Sequence, residues 1–209
     1  MTTPRATMMS RQARLLATLA SIAMLLVSAL IAVPGDVLAG TECGEWRWPV
    51  KTLSDRDRRQ VDFRTRATTV RTLRSLHAPD SLNADTPRHG LVERRTYRVE
   101  AQVVAARIVE DSDVHLVIAV RGHRKQTMIV EFPHPNCMAS PFRRAQTTSA
   151  RRAVLNGCGS LSSEFTDLRG RVQVRGVAFW DDIDGQRGIA PNGIELHPVL
   201  GFEGHCRQV

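Results

Sequence analysis

The sequence predicts a mainly β protein built on a five-stranded OB-like barrel, in the order β-β-β-α-β-β, with a partly helical N-terminal extension. Three observations predict it. Residues 96–109, 114–120 and 127–132 are three consecutive runs rich in Val, Ile, Thr and aromatics, side chains that suit a pleated, half-buried surface. The gaps between them, EDSD and RGHRKQ, have turn composition and are short enough for antiparallel neighbours to pair. A helix-like segment and two more β-rich runs, 171–179 and 193–199, then complete the order of an OB barrel.

Ahead of these elements, residues 1–39 read as an export signal. Arg5, Arg11 and Arg14 supply a basic start, 15–33 is uncharged and apolar, and Val37-Leu38-Ala39 offers small residues for cleavage before Gly40. The apolar run is also close to the minimum for a membrane span, so contact with a membrane follows only if the signal stays uncleaved. Removing Arg5, Arg11, Arg14 and Asp36 takes the formal charge from +8 to near +6. Lys51 and Lys125 are the only lysines, so arginine carries the excess, and its planar fork suits phosphate and carboxylate groups. What remains is long enough for one domain with a real core, placed outside the cytoplasm as a periplasmic or secreted protein.

Four cysteines follow the signal: Cys43, Cys137, Cys158 and Cys206. An even count in an exported chain predicts two disulfides. Of the three pairings, Cys137 with Cys158 would clip the helical segment, and Cys43 with Cys206 would tie the termini. Zinc ligation needs paired ligands at short spacing, which these cysteines lack.

Residues 40–93 are expected to form an extension that packs on the barrel domain, 94–209. They are polar and do not alternate like a strand. Ser54 with Asp57 resembles a helix cap, Thr68-Thr69 another ahead of a short helix that stops before Pro79, and 80–90 is turn-rich.

Alternation assigns the strand faces. Leu116, Ile118 and Val120 share one face, as do Met128, Val130 and Phe132, and Ile194 and Leu196. This leaves His115, Glu131, Glu195 and His197 on the opposite, polar face. In an OB barrel the third strand lies between the second and the last, antiparallel to one and parallel to the other. His115, Glu131 and His197 are therefore expected at one pole, as ligands for a divalent metal or as an acid/base set. The bland alternative is a solvated outer face. The loop WDDIDGQRGIAPNG adds Asn192 to the candidate ligand-binding residues, and Asp181, Asp182 and Asp184 without the spacing of an EF-hand.

Four segments, EWRWPVKTLSD, VHLVIAV, TMIVEFPHPNC and GQRGIAPNGIELHPVL, resemble a family of uncharacterised exported bacterial proteins with an OB-like core. APNGIELHP is the most specific of these pieces. The resemblance implies the fold and export, and brings no activity.

Three functions are consistent with these features. An exported binding module for an anionic polymer, either nucleic acid or an acidic glycan, or for an envelope partner, fits the basic charge and is preferred. A metal-dependent hydrolase such as a nuclease would use the polar pole. A structural envelope protein would use neither. No Ser-His-Asp or Cys-His nucleophile signature, phosphate loop or HExxH motif is present, so the reading leans away from an enzyme.

Overall fold

Six strands, β1 (Asp62–Thr68), β2 (Arg95–Ile108), β3 (Val114–Val120), β4 (His123–Phe132), β5 (Thr166–Trp180) and β6 (Ile194–Gln208), form one mainly β sheet in the computed structural model of this protein. Residues 43–209 are the ones the structure describes; the expected export signal lies outside them. Among the described residues three short or medium α-helices accompany the sheet: α1 (Trp48–Lys51), α2 (Val70–Arg74) and α3 (Arg144–Cys158). None of the described helices is long and apolar enough to cross a membrane.

The pairings close on themselves. β2 is antiparallel to both β3 and β5, β4 is antiparallel to β3 and parallel to β6, and β6 is antiparallel to β5. β2 pairs with β3 along one edge and with β5 along the other, and its register to both shifts just before Ala105. A bulge of this kind bends a strand and increases its twist. Leu116, Ile118, Met128, Val130, Phe132, Ile194 and Leu196 fill the interior of the ring, as alternation predicts. α3 adds Ala150, Val154 and Cys158 from one face, the spacing of an amphipathic helix.

The extension is less helical than its sequence suggests. Residues 62–68 form a strand, parallel to 95–99 of β2, on the edge that β3 leaves free when it pairs only with 102–108. Its polar composition, DFRTRAT, fits an edge strand with one face in solvent. Arg56–Gln60 is a 3-10 helix without a side-chain cap, whereas Thr69 does cap α2 by accepting from Thr72 N. Leu53 and Val61 pack on Val177 and Leu200 outside the ring. β5 and β6 each run well beyond the predicted strands, because their polar ends, TDLRG and GHCRQ, pair with each other.

Both disulfides form, but with a different pairing from the expected one: Cys43 joins Cys137 and Cys158 joins Cys206. The extension crosses the ring at the end of β4, beside Cys137, rather than running to the C-terminus. α3 meanwhile lies along β6, where Gly157 packs against Gly204 and Phe202. Non-reducing peptide mapping should recover these two cross-links and no free thiol. Loss of either bridge should lower stability by about 2–5 kcal/mol in denaturant titrations; a fragment joining Cys137 to Cys158 would contradict the fold.

Candidate functional site

Strand register assembles the polar pole. His115 of β3 stands opposite Glu131 of β4. The parallel β4–β6 pairs Ile129–Glu195 and Val130–Leu196 bring His197 into step with Glu131. His115 Nδ1 lies 3.0 Å from one Glu131 oxygen, and His197 Nδ1 lies 3.1 Å from the other. The second nitrogen of His197 faces Asp113 Oδ2 at 3.3 Å. Three of the four sequence-predicted pole residues therefore meet side by side, and Glu195 lies on the same face of β6. Asp113 was missed because EDSD reads as a turn; it precedes His115 by two positions, and extending the alternation by one step would have found it.

This face is not solvated. His115 and His197 are 0% exposed, Glu131 5% and Glu195 2%. Two segments cover them. α1 and the residues before it place Trp48 edge-on to His197, while Phe179 meets the same ring from β5. The loop between β5 and β6 reaches β3, where His115 Nε2 donates to Arg187 O at 3.3 Å. The approach depends on Gly188, at φ 97°, since a Cβ there would fall 2.5 Å from the Val117 methyls.

The cover is clamped by Arg47. Its guanidinium gives both ends to Glu93, at 2.8 and 2.7 Å, and also bonds the carbonyls of Thr86, Pro87 and Trp180. Glu93 returns the link by accepting from Trp180 N. Lys51, one turn later, pairs with Asp181 at 2.8 Å.

The groups differ in charge. Burial opposes the His197 cation, but the carboxylates of Asp113 and Glu131 outweigh it and raise its pKa to about 9. Burial also works against the Glu131 anion, yet His115 and His197 hold its pKa well below the usual range. Glu195 moves the other way: burial, then Asp181 and Glu131, push it well above that range. Asp111 rises to about 6, by burial and by its neighbours Asp113 and Glu131. Burial lowers Lys51, and the carboxylates led by Asp181 more than restore it. Carboxyls with pKa values pushed apart are what acid/base chemistry requires. Glu131 also reaches solvent, through a cleft of about 270 Å³ shared with Asp111, Glu110, Asp184, Lys51 and Arg107.

Other candidates have structural partners. Asn192 donates to Leu73 O and Leu76 O, and so fastens the end of α2 rather than facing the pole. Asp181 binds Lys51, and Asp182 and Asp184 accept from nearby backbone amides of their own loop.

A second cleft, of about 710 Å³, opens at the opposite end of the ring, lined by Arg121, Arg124, Arg169, Arg171, His205 and Arg207. Arg124 and Glu131 are separated by seven residues of β4, about 23 Å at the rise of a strand. Within the cleft, Arg169 pairs with Arg207 and Arg171 with His205 across β5 and β6. Arg121 lies 3.5 Å from Glu100, but among the described residues no carboxylate comes within ion-pair distance of Arg124, Arg169, Arg171 or Arg207. The sequence signal for this cleft is the i, i+2 spacing in LRGR and HCR. No protein-family model, curated protein or solved structure matches this chain.

Replacing Arg47 with Met should destabilise the fold by about 3–5 kcal/mol, because Glu93 would keep a buried, uncompensated charge. The shift is read as a lower urea midpoint. An unchanged midpoint would show that the cover is held by other contacts.

Proposed function

We propose that this protein is an exported OB-like binding module that holds an anionic polymer in its arginine cleft. The ring order and the β-β-β-α-β-β sequence of elements support the OB-like reading. Two disulfides are more typical of proteins outside the cytoplasm, which supports export.

The observation that carries the binding role is the pairing of like charges. Arg169 stands directly opposite Arg207, where cross-strand neighbours repel, and Arg171, opposite His205, adds a further cation two positions along the strand. Such an arrangement persists at the expense of stability, and a bound anion offsets the repulsion. Arginine adds a bidentate fork for phosphate, sulfate or carboxylate oxygens. Arg124 is already fixed, since it donates to the carbonyls of Val103 and Leu168. Cys206 lines the same cleft and is tied to Cys158. No Phe, Tyr or Trp lines it, so charged groups of the polymer, rather than stacked bases, make the contacts.

Fluorescence anisotropy with single-stranded DNA and with a sulfated oligosaccharide, each over a salt series, tests this. Affinity should fall steeply with salt because binding releases counterions. Replacing Arg169, Arg171 and Arg207 with Ala should flatten the DNA log–log slope by about 2, at roughly 0.7 per phosphate contact. The same variant should melt no lower than wild type, since it removes only exposed like charges. Binding that ignores salt, or that survives the triple change intact, would remove the proposal. The polymer with the tighter wild-type binding identifies the natural class.

A further inference from the structure

We propose that Asp113, Glu131 and His197 hold a divalent transition-metal ion, with His115 beside the other oxygen of Glu131. The site is separate from the arginine cleft and does not depend on that cleft's role.

Convergence is the first argument. One ligand atom from each of Asp113, Glu131 and His197 lies within 4.8 Å of the others, and all three residues are buried. His197 approaches Glu131 through Nδ1 at 3.1 Å and Asp113 through Nε2 at 3.3 Å; one nitrogen serves the ion, and either pair has the spacing of neighbouring ligands with bonds of about 2 Å.

The second argument is independent of proximity. Asp113 Oδ2, His115 Nδ1 and both nitrogens of His197 are buried and have no partner in hydrogen-bond geometry. They approach carboxylate oxygens, or a ring nitrogen in the case of Asp113, at contact distance but off the direction of a hydrogen bond. His115 sharpens the point. Its Nε2 faces a backbone carbonyl, Arg187 O, which can only accept. In the neutral ring the proton therefore sits on Nε2, and Nδ1 is a bare acceptor 3.0 Å from a carboxylate oxygen. The contact is favourable only with a positive charge beside it, which a proton or a metal ion bound to Glu131 supplies. Asp113 is similarly oriented, because its other oxygen accepts from His134 N at 2.9 Å.

Access supplies the third argument. The cleft that reaches Glu131 is lined by Asp111, Glu110 and Asp184 against Lys51 and Arg107. Lys51 is already neutralised by Asp181. The mouth therefore favours cations. Imidazole with carboxylate donors suits Zn²⁺ or Mn²⁺, whereas Ca²⁺ and Mg²⁺ prefer all-oxygen shells.

The test uses the disulfide-bonded protein purified without a histidine tag. Calorimetry with Zn²⁺ and Mn²⁺ should give one equivalent bound, with an increase in melting temperature; Ca²⁺ and Mg²⁺ should bind at least tenfold more weakly. Asp113→Asn and Glu131→Gln keep side-chain volume and should each weaken binding by about tenfold or more. If these variants fail to fold, wild-type protein still decides: substoichiometric Mn²⁺ should broaden the imidazole NMR signals of His115 and His197 ahead of the more exposed His77, His89 and His123. Absence of a one-to-one site, folded variants that bind as tightly as wild type, or broadening confined to the more exposed histidines would each overturn the proposal.

Discussion

The interaction on which the rest of the molecule depends is the pair between Arg47 and Glu93, both essentially excluded from solvent. A buried pair of this kind is tolerated only when the remaining donors and acceptors are satisfied. Here Arg47 reaches the carbonyls of Thr86, Pro87 and Trp180 besides the carboxylate, and Glu93 accepts backbone amides from His89 and Trp180. One ion pair thus joins the start of the described chain, the loop ahead of β2 and the end of β5. Arg47 holds a left-handed backbone, φ 45°, to do so. Such a conformation persists in a non-glycine residue when its surroundings over-determine it.

Closing that clamp changes the chemistry of the strand faces. A closed ring of strands would ordinarily leave the outward side chains of β3, β4 and β6 in water. Under α1 and the β5–β6 loop the two histidines are fully buried, and Glu131 meets solvent only at the cleft. Each then has to be compensated by its neighbours, and the compensation separates the groups: the histidines hold the Glu131 pKa well below the usual range, whereas burial and the other carboxyls hold that of Glu195 well above it. The cover is therefore what turns four polar residues into a site.

The strand faces were legible because period-two patterning is a local signal, so Leu116, Val130 and Leu196 could be placed inside from alternation alone. Setting Glu131 between His115 and His197 also required the strand order of the expected barrel. The cover was not legible. WRWPVK has no period, and its packing is decided by Arg47 meeting a glutamate 46 residues away. The cysteine pairing failed for the same reason: composition predicts bridges, but the path of the extension decides which thiols meet. β1 was hidden because an edge strand with one wet face carries few apolar residues. The polar ends of β5 and β6 were hidden because they stabilise each other by pairing, with arginines where alternation would lead one to look for valines.

Charge divides the molecule. The end that gathers Asp111, Asp113, Glu131 and Asp184 lies a strand length from the end that gathers Arg124, Arg169, Arg171 and Arg207. Their separation, about 23 Å along β4, exceeds the Debye length of about 10 Å at 0.1 M salt. Charge in one cleft is therefore largely screened from the other in solution, and each end presents its own sign. Had the arginines faced the carboxylates across one cleft, mutual pairing would have neutralised both. Placing them at opposite poles of a closed ring keeps the two sets from pairing with each other, and it makes the ring a spacer as much as a core.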